Sequence, residues 1–249
     1  MTVQPLEQAR IPTEIRNALA RPGRRDPAAF AELLATARRE SGLKADASNP
    51  NSSASGLFQF TEQTWLDLVR RKGAAHGMGA LAGQIRQDPA TGRLEVASAE
   101  ARQKILALRK DPKAAAAMAH ELAQQNRKSL ATALGREPTY QEVYAAHFLG
   151  ARGAVRLIRA AEESPETPSN RLMPVAAKAN RAVFRDAQAG RFRTAGELAR
   201  HLEVADADRR APRATASGAD YLDGLAPARG RMPVRATLVE AQLAASAEG

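Results

Sequence analysis

Residues 27–60 read PAAFAELLATARRESGLKADASNPNSSASGLFQF, and a helix and a turn-rich loop meet inside that stretch. Phe30, Leu33, Leu34 and Ala37 have the i, i+3, i+4, i+7 spacing of a buried helical face. Asp26-Pro27 supplies an N-cap and a first helical residue, and Gly42 a terminator. At about 100° per residue, Glu40 falls roughly 80° from Phe30 and near the azimuth of Leu33. It therefore sits in the last turn, at the edge of the buried stripe. A carboxylate there is disfavoured in its charged form by desolvation and by the negative end of the helix dipole. Both raise its pKa, as a general acid requires at neutral pH. Beside Arg38 and Arg39, the same residue also fits a solvated surface acid. The loop that follows is polar, with Ser52, Ser53 and Ser55 as loop formers. Gly56 then opens an apolar run with one amide, Gln59, inside it.

Outward from this stretch the chain punctuates helices. Thr61 opens EQTWLDLVRRK and Gly73 closes it; Trp65, Leu68 and Val69 form an apolar trio that reads as core. Residues 73–96 are Gly-rich and polar and read as a long loop broken by Asp88-Pro89. A helix is expected over 98–110, and a second from Asp111-Pro112 to Gly135. Thr139 and Glu142 have capping-box spacing before VYAAHFLG, as do Thr194 and Glu197 before ELARHLEVA. Helices also fit 154–163 and 174–188. No segment alternates convincingly as a strand, with 56–60 the one short candidate. There are 55 alanines and only 10 aromatic residues among 249, so helices with thin, small-residue cores are expected. That length suits one domain with appendages. We read 1–24 as an N-terminal helical extension, 25–190 as the main domain, 191–205 as a terminal helix and 206–249 as a mobile Ala/Arg/Pro-rich tail.

Composition also excludes. With no cysteine there is no disulfide framework and no thiolate zinc site. No stretch reaches the roughly 18 apolar residues of a membrane span, so no stable membrane insertion is expected. The first 25 residues lack the apolar region of a secretory signal. We find no internal repeat and no phosphate-loop or HExxH pattern. The net charge is +10, and residues 200–249 hold 7 Arg and 7 acids, so the whole excess belongs to 1–199. Such a balance favours an anionic partner. Nucleic acid is not the expected one, because aromatics for base stacking are scarce and no recognition-helix motif is present. His76 reads as an exposed loop residue, and His120 and His201 as solvated. No two histidines have metal-ligand spacing on a carboxylate-bearing helix, so neither metal nor cofactor is expected.

Glu40-Ser41 followed by Gly56-Leu57-Phe58-Gln59 resembles the soluble lytic transglycosylase catalytic domain, the goose-type-lysozyme-like family marked by an E-S pair and G-L-M-Q. Phe58 stands where Met is usual. The family's third motif, A-Y-N-A-G, has its best match at Ala146-His147-Phe148-Leu149-Gly150, where His147 and Phe148 replace Tyr and Asn. A lone helical His is usually structural or exposed; at this position it becomes a candidate contact, and Tyr144, one turn earlier, is the alternative hydroxyl donor. The resemblance covers roughly 25–190. It implies a mainly α, lysozyme-like fold with a minimal β element, a helical bundle around an active-site cleft.

Most glycoside hydrolases use two carboxylates about 5 to 9.5 Å apart. Asp46 is the only other carboxylate between Glu40 and Gln59. The resemblance implies that a second is not needed: one Glu protonates the glycosidic oxygen, then deprotonates the C6 hydroxyl of the same N-acetylmuramic acid, giving a 1,6-anhydro product. On that reading Glu40 is acid then base. Ser41 makes a supporting hydrogen bond, Ser48 contacts substrate from the loop, Gln59 binds an N-acetyl or hydroxyl group, and Phe58 walls the site. From the residues alone, Phe58, with Leu57 and Phe60, reads better as plain core. The implied partner is peptidoglycan glycan, whose carboxylates suit a basic domain. The implied location is the periplasm or cell envelope, reached from another precursor start or through a secretion, flagellar or phage-like envelope machine. A hydrolysing muramidase and a catalytically impaired peptidoglycan-binding factor are the alternatives.

Overall fold

A computed structural model of the chain describes residues 11–22, 27–50 and 52–207. The expected cap at Asp26, residues 1–10 and 23–24 of the N-terminal extension, and the tail from 208 onward lie outside them. The described part is mainly helical: eleven helices, α1 (Thr13–Ala20), α2 (Pro27–Ser41), α3 (Glu62–Lys72), α4 (Gly79–Ala82), α5 (Ala99–Ala107), α6 (Pro112–Leu134), α7 (Tyr140–Glu163), α8 (Ser169–Leu172), α9 (Pro174–Ala179), α10 (Arg181–Phe184) and α11 (Ala195–Ala207). Two antiparallel hairpins complete it, β1 (Ile85–Gln87) with β2 (Leu94–Val96) and β3 (Arg185–Asp186) with β4 (Arg191–Phe192).

Where a cap was legible, the helix starts there. Asp111 accepts from the Ala114 amide at 2.7 Å ahead of α6, and Gly135, at φ 71°, ends it in the left-handed region. Thr139 and Glu142 close both bonds of a capping box at the head of α7, and Thr194 and Glu197 do the same for α11. Gly150, at φ 72° and ψ 160°, kinks α7 after its first ten residues.

Three readings are corrected. Residues 73–96 are a short 3₁₀ turn, α4 and the first hairpin. Asp88-Pro89 belongs to the hairpin's turn, where the Asp88 carboxylate accepts from the Ala90 and Thr91 amides. Three-residue strands are too short to show alternation, and their packing comes from elsewhere: the Gln63 side-chain amide pairs with both backbone groups of Leu94, at 2.9 and 3.0 Å. Residues 174–188 do not form one helix. Buried Asn180 breaks it, its side chain bonding back to the Ala176 carbonyl, and the chain leaves into β3. Nor is 56–60 a strand; it is a turn closed by single bridges from Ser55 to Ser48 and to Phe60.

Apolar residues gather in two clusters. One joins α1, α2, α3, α5, the first hairpin and the N-terminal half of α6 around Leu34, Phe58, Phe60 and Trp65. The other joins α7 and α9 to α11 around Leu149, Phe184 and Leu198. Trp65 is wholly enclosed and donates its indole N–H to the Ile105 carbonyl at 2.7 Å, as a core tryptophan must. The end of α2 comes from the first cluster and the face of α7 from the second, and the candidate site lies where they meet.

Candidate active site

Helix α2 stops because Gly42 and Leu43 both turn left-handed, at φ 61° and 66°. That leaves Glu40 in the final turn, pointing at α7, with its side chain 5% exposed. The hydroxyl of Tyr144 donates to Glu40 Oε1 at 3.2 Å. His147, one turn further on α7, places Nε2 3.8 Å from the same oxygen, and that nitrogen is buried with no hydrogen-bond partner among the described residues. The Tyr144 and His147 rings stack at 6.1 Å, and Phe60 packs edge-on to His147 at 6.4 Å. The Arg39 guanidinium lies 3.8 Å above the Tyr144 ring centre.

Burial dominates the electrostatics. It pushes the Glu40 carboxyl up to about 7, against the opposing pull of the Tyr144 hydrogen bond and the Arg39 charge. It raises the Tyr144 phenol further, so that group remains a donor. It lowers His147 to about 4, helped by the positive charge of Arg39, so the imidazole is neutral at pH 7. The result is one carboxyl poised near neutrality between a neutral phenol and a neutral imidazole. Such a group can deliver a proton and take one back within a single cycle. The other carboxylate on the same helix face, Glu32, is held in an ion pair with Arg127.

The loop after α2 is fastened to it by Ser41, whose hydroxyl donates to the Leu57 carbonyl at 2.8 Å with the Ala37 carbonyl 3.0 Å away. Gly56, at φ 83°, passes so close to the Arg109 carbonyl that a Cβ there would lie 1.8 Å from its oxygen. Gln59 holds the left-handed φ of 49°, and its side-chain nitrogen donates to the carbonyls of Gly56 and Ala47 at 2.9 and 3.3 Å.

Of the residues singled out in the sequence, the fold brings Glu40, Tyr144 and His147 together and hooks Ser41 to the Leu57 turn. Ser48 is exposed in the loop, with its hydroxyl 3.4 Å from the Asp46 carbonyl. Gln59 is half-buried and its amide nitrogen is already committed to the turn, which leaves its carbonyl as the group to meet a ligand. Phe58 is corrected: it is fully enclosed beside Phe60 and presents no surface to a substrate, because the turn folds it inward to the first cluster. His120 and His201 are not solvated but half-buried, and burial lowers the His201 pKa. His76 bonds to Glu121 at 2.9 Å.

Sequence reasoning missed Arg39 and Arg109. Both are arginines in a chain with 30 of them, so nothing local separates them from surface charge. A groove between α2, α6 and α7 reaches the site along Leu33, Thr36, Tyr140, Tyr144 and His147. No family model matches the chain.

Proposed function

We propose that this protein is a peptidoglycan lytic transglycosylase of lysozyme-like fold, with Glu40 as its single acid and base. The observation that carries the reading is the Glu40 carboxyl, enclosed at the end of α2, raised to about 7 and hydrogen-bonded by Tyr144. A protonated carboxyl there gives its proton to the glycosidic oxygen between N-acetylmuramic acid and N-acetylglucosamine. The C1–O bond breaks and its electron pair stays on the leaving oxygen. The carboxylate left behind then takes the proton of the C6 hydroxyl as that oxygen bonds to C1, giving the 1,6-anhydro end and restoring the acid. Tyr144 steadies the carboxylate between the two steps. The raised pKa serves both, because the group gives and takes a proton near the same pH.

The partner on this reading is the glycan strand of the cell envelope, and the domain's positive charge suits that strand's carboxylates. The E-S and G-L-F-Q motifs support the assignment, and their residues meet through the bond from Ser41 to Leu57. A hydrolysing muramidase is the second reading, favoured by the unpartnered His147 nitrogen beside Glu40, which could orient a water. Digestion of purified sacculi with wild type and Glu40→Gln, read by mass spectrometry, tests both. Anhydro ends that vanish in Glu40→Gln are expected. Reducing ends would transfer the assignment to the hydrolase, and equal release by both proteins would remove Glu40 from the chemistry.

A further inference from the structure

The 53–60 turn holds two left-handed residues, and one of them, Gln59, is not glycine. A non-glycine residue there costs on the order of 1 kcal/mol or more and persists only where its surroundings dictate it. Around it, Arg109, in the 3₁₀ turn Leu108–Lys110 after α5, ties the turn to the rest of the fold. Its side chain is buried, yet among the described residues it makes no ion pair within 4 Å; Glu62 acts on it only at longer range. Its donors go to carbonyls instead. Nη1 serves Ser53 and, at 3.1 Å, Phe60, the two ends of the turn, and Nε serves Leu106 at 3.0 Å. Its own carbonyl closes on Gly56 from the other side. Burying a guanidinium is expensive unless its donors find acceptors, and here Nε and Nη1 do so on three backbone carbonyls.

We propose that Arg109 is a positioning residue of the Glu40 site, acting through the 53–60 turn. The path is short and each link is a bond. Arg109 fixes Ser53 and Phe60; between them the Leu57 carbonyl receives the Ser41 hydroxyl; Ser41 follows Glu40 at the end of α2. Phe60 is also the ring that packs on His147, so the same clamp sets the wall opposite Glu40. Lysine cannot replace it, because a single ammonium does not span two carbonyls and a third in the plane of a fork.

The inference rests on Glu40 being the working acid, and its test is arranged so that the two can fail separately. Carbon-detected NMR titration of the side-chain carboxyls, with Glu40 assigned by its loss in Glu40→Gln, is run on wild type, Arg109→Lys and Leu198→Ala. Leu198 is fully buried in the second cluster and serves as a destabilised control. In Arg109→Lys the Glu40 midpoint is expected to fall by about one unit or more as water reaches it. Turnover on sacculi should drop about tenfold or more with little change in KM, as misplacement of a reacting group does. Leu198→Ala should lower Tm and leave the midpoint alone. If Arg109→Lys does not fold, Ser41→Ala cuts the same path at its other end and should shift Glu40 in the same direction. An unchanged Glu40 midpoint in the folded variant overturns the proposal. Wild type that cleaves no glycan would overturn the enzymatic reading alone, because the titration still reports whether Arg109 holds the site.

Discussion

Tyr144 and Glu40 lie 104 residues apart in the chain, and the hydroxyl of one donates to the carboxyl of the other at 3.2 Å inside an almost closed site. That bond lowers the Glu40 pKa while burial raises it, and burial wins. The balance fixes what each change to the pair should do.

Tyr144→Phe removes the lowering influence and keeps the ring, so Glu40 should titrate above its present value of about 7. Turnover should fall about tenfold at neutral pH, and the alkaline limb of the pH profile should move to higher pH. A pH-rate series on sacculi measures both; a limb that stays in place would mean that another group sets it.

Glu40→Gln should be inactive and more stable than wild type at alkaline pH. The folded-state pKa of about 7 exceeds the reference value of 4.5, so the folded protein binds the extra proton between those values and loses stability as pH rises through them. The full difference is on the order of 3 kcal/mol. Thermal melts at about pH 4 should show little gain for Glu40→Gln, and melts at about pH 8.5 a gain of several degrees.

His147 works in the opposite direction. Its pKa is lowered to about 4 from 6.5, so the unfolded chain binds the extra proton and stability is lost as pH falls through that window. His147→Phe should move acid unfolding to lower pH, read as the midpoint of an acid titration followed by circular dichroism. An acid midpoint that does not move would show that the imidazole is not buried in its neutral form.

Gly56 and Gly42 are both left-handed, but only Gly56 meets backbone within reach of a Cβ. Gly42→Ala should cost about 1 kcal/mol, the conformational term alone. Gly56→Ala forces the turn off Arg109 and should cost about 3 kcal/mol or more, or prevent folding. Urea midpoints compare the two, and similar losses would deny the close approach.

Helix boundaries were legible wherever a capping residue announced them, because a cap bond is local and spans three residues. The Asp111, Thr139 and Thr194 caps are all made. The two hairpins were not legible, since strands of two or three residues carry no periodicity and depend on partners such as Gln63, 31 residues from Leu94. The 174–188 segment misled because its propensity is helical, while Asn180 inside it bonds back to the Ala176 carbonyl and the chain then leaves into β3 to pair with the strand at 191–192.

The candidate site divides the same way. Helical spacing placed Glu40 at the margin of a buried stripe, while Tyr144 and His147 as its companions and a supporting bond from Ser41 were only what the family resemblance implied. The sequence could not decide whether Glu40 was solvated, whether Phe58 faced ligand or core, or that Arg109 was more than one arginine among 30. Those depend on which surfaces are removed from water, and that is set by the meeting of α2 with α7 and of the 53–60 turn with Arg109. Desolvation and contact across a hundred residues are properties of the packed chain, so only the tertiary structure decided them.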